Sequence, residues 1–410
     1  MHGPLAKFAV GAAALVTLAT SLTVATASAT THATWKVTPV VIPMAAPYQP
    51  NPPAGATDDY HCSLVNPNVT KNSFITASDF SPGDFSKGSL TDAEVHHAIL
   101  FLIPPDWAAA AEAANNGGKG WTCFGETILT HQQLQLPGSS ASTGQPTWLT
   151  AWAPGHNVNV FPKGTGVLFP KGSLVVLQIH YNTLAGDLPI QSTLTLDTVS
   201  SKDPLKPLSL DLYPAPPDVP CLASWNPATT PLCSRAASLK YLGARFGQEA
   251  VNFVDGLEEI CGRNPTAPPE GDTTQCTWTV HQRAKIVELG AHMHLTGVKF
   301  QITLNPGTNR QKVLLNVKNF NFDYQRGYDV KHWIQINPGD RIEVSCTYDP
   351  MIHDVNPQLR QAPRRFVTWG DGSSVETSPR HISSEDPSPQ VTKRRGAWRS
   401  CGFTSWIIGS

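Results

Sequence analysis

The sequence predicts an all-β protein made of two consecutive antiparallel β-sandwiches. Three observations carry this expectation. Proline accounts for 36 of 410 residues, almost twice the usual share of about 5 %. Charged residues make up only 15 %, which suits short strands joined by fixed turns and starves long surface helices of Glu, Lys and Arg. Short apolar runs alternate with Pro- and Gly-bearing turn signals along most of the chain, and only 108–115, stopped by Gly117-Gly118, has clear helical character.

Taken in order, residues 1–29 predict an export signal. Lys7 is the positive start, Phe8 to Val24 the apolar run, and Ala27-Ser28-Ala29 the small-residue cleavage pattern. Threonines and serines dilute that run, so a membrane anchor is the weaker expectation. No later segment predicts a span, and the mature protein is expected to be secreted. Residues 30–56, rich in Pro, Ala and Thr, predict an exposed leader. The first sandwich is expected over 57–200, with strands near 95–103, 172–181 and 190–196. A proline-rich stretch, 201–223, predicts a linker. The second sandwich follows over 224–374, with strands near 284–289, 298–304, 313–317, 333–336 and 341–347 and a turn at Asn337-Pro338-Gly339-Asp340. Residues 375–410 are Ser-, Pro- and Arg-rich, carry Lys393-Arg394-Arg395, and predict a disordered tail.

With 30 Lys+Arg against 31 Asp+Glu the net charge is −1, so nothing global favours binding nucleic acid. Eight cysteines, an even count in an exported chain, predict disulfides. None forms a Cys-x-x-Cys pair, which argues against a zinc ribbon or a thioredoxin-type site. Proximity suggests Cys221–Cys233 and Cys261–Cys276.

Five of the 14 histidines sit on or beside apolar strand candidates. His96-His97 opens one run, His180 closes another, and His292-Met293-His294 forms a His-x-His pair. Residues two apart share a strand face, so His292 and His294 can hold one metal ion together. Adjacent His96 and His97 can do so only if the strand is bulged or ends there, with His180 as a third nitrogen. Imidazoles alone leave Cu, Zn, Fe and Ni open.

Further motifs accompany these histidines. They are Asp59-Tyr60-His61-Cys62, Glu94-Val95-His96-His97-Ala98, Trp121-Thr122-Cys123, and Gln178-Ile179-His180-Tyr181. Later come Ala291-His292-Met293-His294-Leu295-Thr296-Gly297 and Trp369-Gly370-Asp371-Gly372-Ser373-Ser374. In order and spacing the sequence resembles the copper type II, ascorbate-dependent monooxygenases over about residues 58–374. The resemblance implies two jelly-roll-like domains, each holding one copper. His96, His97 and His180 would hold the electron-donating copper, and His292 and His294 the oxygen-binding one. It further implies an ascorbate-type reductant, O2, hydroxylation of a C–H bond in a small organic substrate, and a Cys62–Cys123 disulfide.

Two departures qualify that implication. Peptide-amidating members carry an arginine two residues before the His-x-His pair; here Gly290 stands there. Members also supply a methionine ligand from a Glu-Met-Cys motif after the Gly-x-x-Ser segment; here Thr377 and Ser378 take those two places. The chain has four methionines: Met1, Met44, Met293 and Met351. Met293 is expected to face away from the histidines, and Met351 is a weak substitute. The family's partner for Cys346 is also missing, leaving Cys401 as the only late cysteine. Together with the change of composition, these losses suggest a shifted reading frame near Val375. The rival readings are a copper-binding protein without turnover, a secreted β-sandwich binding module, and a cupin-like iron or zinc enzyme.

Overall fold

A computed structural model describes residues 35–53, 58–83, 94–123, 146–152, 158–183, 188–321, 327–356, 359–361, 363–368 and 402–409. Within them the apolar runs become short strands: β1 (Thr38–Pro43), β2 (Asp58–Val65), β3 (Ser73–Ser81), β4 (Val95–Ile103), β5 (Trp121–Thr122) and β6 (Thr147–Trp152). They continue with β7 (Asn159–Val160), β8 (Thr165–Phe169), β9 (Leu174–Asn182), β10 (Thr193–Ser200), β11 (Lys206–Pro214) and β12 (Thr273–Thr279). The last are β13 (Ala284–His292), β14 (Gly297–Leu304), β15 (Lys312–Val317), β16 (Gly327–Ile336), β17 (Arg341–Tyr348) and β18 (Gly402–Gly409). Helices are α1 (Ala108–Ala114), α2 (Arg235–Phe246), α3 (Gln248–Ile260) and the single turn α4 (Ile352–Val355).

The fold is all-β and mainly antiparallel. A five-stranded sheet runs β5-β2-β9-β4-β6, and a four-stranded sheet runs β12-β17-β14-β15. A nine-stranded sheet runs β1-β10-β3-β8-β11-β18-β13-β16, with β7 added on β3. Strand alternation explains the first core. Val175, Leu177 and Ile179 of β9, with Ala98, Leu100 and Leu102 of β4, point to one side and pack on Ile75, Val167, Leu194 and Leu208 of the nine-stranded sheet. In the second core, Ile286, Leu289 and Ala291 of β13 meet Phe300, Ile302, Ile342 and Val344 of the four-stranded sheet. Each Val, Leu, Ile or Phe among them contributes about 1.5–3 kcal/mol on full burial.

Three disulfides link Cys62 to Cys123, Cys221 to Cys233 and Cys261 to Cys276, as the sequence suggested. Cys346, for which the sequence leaves Cys401 as the only late cysteine, is disulfide-bonded too. The predicted turn closes with Asp340 N–H donating to the Asn337 carbonyl at 3.0 Å, and Gly339 takes the left-handed φ of 86° it needs.

The structure departs from the sequence expectations in four places. Val40-Val41-Ile42, inside the predicted exposed leader, belong to β1, and Ile42 and Met44 are buried in the first core. The predicted linker contains β11, because Leu208, Leu210 and Leu212 alternate with polar residues between its prolines. The stretch 235–260, expected to be strand-rich, is a pair of helices. Ser234 caps the first by accepting from Ala237 N–H, and Ala250, Val254 and Leu257 line the second at helical spacing. Finally, the expected disordered tail ends in β18, hydrogen-bonded between β11 and β13. Its Phe403, Trp406, Ile407 and Ile408 are strand formers that the Ser/Pro/Arg-rich average conceals. The predicted export signal, Thr377 and the rest of 369–401 lie outside the described residues.

Candidate metal centres

The first centre arises from register. Tyr60 of β2 pairs with His180 of β9, and His180 pairs with His97 of β4, so three side chains form one row across the five-stranded sheet. The row lies on the outer face. On that same face Cys62, Ile99, Phe101, Leu174 and Val176 pack under α1. The β4–β9 register shifts between Val95 and His97, making His96 the extra residue of a bulge. Val95 enters the first core while His97, two residues on, occupies the opposite face. A regular strand would put both on one side. The side chain of His96 lies outside the described set.

His97 and His180 meet nitrogen to nitrogen, with their Nδ1 atoms 3.2 Å apart. Two imidazole nitrogens this close share either a proton or a cation, and one ion about 2 Å from each would span the gap. On its far side, His180 Nε2 lies 2.7 Å from Asp58 Oδ1. When Nε2 carries the proton and donates it to this carboxylate, the lone pair of Nδ1 faces His97. Tyr60 stacks on the His180 ring at 4.0 Å and 14°. The donor set therefore fits a borderline or soft divalent or monovalent metal such as copper.

Sequence reasoning passed over Asp58, although it begins β2 immediately before the quoted Asp59-Tyr60-His61-Cys62. Asp59 points the other way. It accepts Tyr48 O–H at 2.8 Å and Asn51 N–H at 2.7 Å, and so ties the leader to β2. Tyr48 also stacks on His61 at 3.6 Å. Burial pushes the His61 imidazole below its ordinary pKa, and burial followed by the Asp59 charge pushes the Tyr181 hydroxyl well above its own.

The second centre lies where β13 ends. The β13–β16 register shifts between Ile286 and Glu288. After that bulge Leu289, Ala291 and Met293 pack into the second core. Glu288, Gly290 and His292 alternate with them and take the opposite face. His294 follows in the loop before β14, its ring 5.4 Å from that of His292 and nearly perpendicular to it. Met293 is fully buried in the core, as its parity predicts, and Met351 is 60 % exposed. Glu288 is largely buried, and that burial, with the Asp329 charge across the strand pair second, raises its carboxyl to about 7. Among the described residues no group of three or more His, Cys, Asp or Glu side chains converges on one point. Each centre thus brings together two described histidines.

Comparison with known proteins bears on the second half. Residues 269–355, from just before β12 to the end of α4, match the model of the copper type II ascorbate-dependent monooxygenase, C-terminal domain. Both His292 and His294 fall inside that stretch. No curated protein matches. Among solved structures, an allantoicase is 8 % identical, with 76 % of this chain and 77 % of that chain covered and a TM-score of 0.17. The coconut allergen cocosin is 8 % identical, with 92 % and 86 % covered and a TM-score of 0.14. Over residues 269–355 the sequence is thus similar to the C-terminal domain of the copper type II ascorbate-dependent monooxygenases.

Proposed function

We propose that this is a secreted copper protein of the monooxygenase type, with one copper held by His96, His97 and His180 and another by His292 and His294. The observation that carries the reading is the His-x-His pair. It lies in the matched stretch, with His292 on the face opposite the core and the intervening Met293 inside it. The 3.2 Å approach of His97 and His180 Nδ1 supports the other centre, and the three disulfides suit an extracellular location.

Copper at these centres would supply one-electron transfer from an ascorbate-type reductant and the activation of O2 for hydroxylating a C–H bond in a small organic substrate. The protein's own residues do the positioning. Asp58 holds the proton on His180 Nε2 and so presents Nδ1 to the metal. Tyr60 covers one face of that imidazole, and the bulge at His96 turns His97 toward His180. Gly290 offers no cation to a substrate carboxylate, which disfavours glycine-extended peptides.

A second reading, copper binding without turnover, draws support from the methionines. Met44 and Met293 are buried in the two cores, and Met351 is exposed. Met44 and Met293, turned into the cores, are not presented as the soft third donor that the family employs beside its His-x-His pair. Ascorbate-dependent O2 uptake by the copper-loaded protein, measured with and without an organic substrate, separates the readings. Uptake coupled to a hydroxylated product supports monooxygenation, whereas retained copper with no coupled uptake supports binding alone.

A further inference from the structure

We propose that Phe246, at the tip of the α2–α3 hairpin, is a positioning residue for the first metal centre, acting on His180 through Tyr60. The inference rests on the copper reading of that centre. Phe246 is the last residue of α2, and Gly247, with φ 85°, reverses the chain into α3. Its ring meets Tyr60 edge to face, with centroids 5.7 Å apart and planes at 85°. Tyr60 in turn stacks on His180 and meets His97 edge-on at 6.2 Å. An aromatic chain therefore runs from the hairpin tip to both described histidines, joining residues 186 positions apart in sequence by way of one side chain.

The hairpin is built to hold that tip still. At its base Arg235 Nε donates to Asp218 Oδ1 at 2.8 Å and Nη1 to the Pro265 carbonyl at 2.7 Å. Ser238 O–H donates to the Phe366 carbonyl at 2.9 Å, and Arg263 reaches Glu258 of α3 at 3.3 Å. Between base and tip, Leu242, Val254 and Leu257 form an apolar seam against which Phe246 and Phe253 pack. An arm fixed at its base and stiff along its length can set the tilt of the Tyr60 ring. A stacked imidazole follows that tilt, because edge-to-face and stacked pairs have preferred geometries. Hydrogen-bonding partners that orient metal-ligating imidazoles commonly change metal affinity 10–100-fold when removed, and a ring acting through Tyr60 is expected at the lower end of that range.

The test uses the full-length protein loaded with copper. Cu(II) electron paramagnetic resonance reports the geometry of the centre, and competition with a chelator reports Cu(I) affinity. His180→Ala identifies which copper belongs to the first centre. Phe246→Ala should weaken that copper about tenfold and change its hyperfine splitting, leaving the second copper unaltered. Phe246→Tyr, which keeps the ring, should restore both. Phe253→Ala loosens the seam that stiffens the arm and should shift the spectrum in the same direction as Phe246→Ala but by less. If His180→Ala removes no copper, the copper reading fails and the inference falls with it. If His180→Ala removes one copper but Phe246→Ala leaves affinity and spectrum unchanged, the inference alone is overturned. It is equally overturned if Phe246→Tyr fails to restore affinity and spectrum, or if Phe246→Ala alters both coppers alike.

Discussion

At the first centre His97 and His180 come from two paired strands in the five-stranded sheet; at the second, His292 and His294 come from one strand end and the loop after it. The surroundings differ in the same sense. His180 has a carboxylate behind it, an aromatic ring on its face, and the Cys62–Cys123 disulfide two residues along β2 from Tyr60. Along β13, the carboxyl nearest His292 on its face belongs to Glu288, which stands opposite Asp329, a like charge. One pair of histidines thus joins two strands, with a carboxylate and an aromatic ring beside it, and the other is presented by the end of a single strand. A metal is expected to be held more firmly at the first.

Substitutions can break or sharpen that contrast. The largest effect is expected from replacing Cys62 and Cys123 by alanine. Loss of this cross-link beside the first centre should cost about 2–5 kcal/mol in denaturant unfolding. It should release first-centre copper before second-centre copper. Next, Asp58→Asn keeps the shape behind His180 and removes the charge that favours a proton on Nε2. It should weaken first-centre copper about tenfold, or ~1.4 kcal/mol, in chelator competition. The second centre should not respond.

A smaller effect belongs to Glu288. Its folded carboxyl titrates at about 7 against an ordinary 4.5. The native state therefore holds a proton that the unfolded chain gives up between those values, and stability declines as pH rises from about 4.5 to about 7. Glu288→Gln should remove that decline and raise stability at pH 8 by about 1–2 kcal/mol, as urea unfolding across pH would record. A decline that survives the substitution would assign it to other groups. The smallest effect is expected from Met351→Leu. This exposed side chain should alter neither copper content nor stability by more than about 0.5 kcal/mol. A loss of second-centre copper would instead make Met351 a ligand.

Much of this architecture was legible in the sequence, for identifiable reasons. Strand β4 coincides with the apolar run from Val95, because an unbroken apolar stretch of strand length, buried on both faces, ends at the Pro104-Pro105 stop. The parity of His292-Met293-His294 correctly sent Met293 into the core. The bulge that adjacent His96 and His97 required is present at His96. Other features were hidden by averaging or by distance. The helical spacing of Ala250, Val254 and Leu257 was masked by a composition poor in helix formers. Strand β18 vanished inside a Ser-, Pro- and Arg-rich window. Asp58 and Phe246 could not be linked to His180 because their contacts are set by strand register and hairpin packing, which leave no local pattern.

The contrast between the centres rests most directly on where copper binds. Equilibrium dialysis of the full-length protein, His180→Ala and His292→Ala against a graded copper chelator measures this. Two coppers are expected in wild type. His180→Ala should lose the tighter one and His292→Ala the weaker one. Unchanged copper content in both variants, or loss of the tighter copper on His292→Ala, would contradict the account.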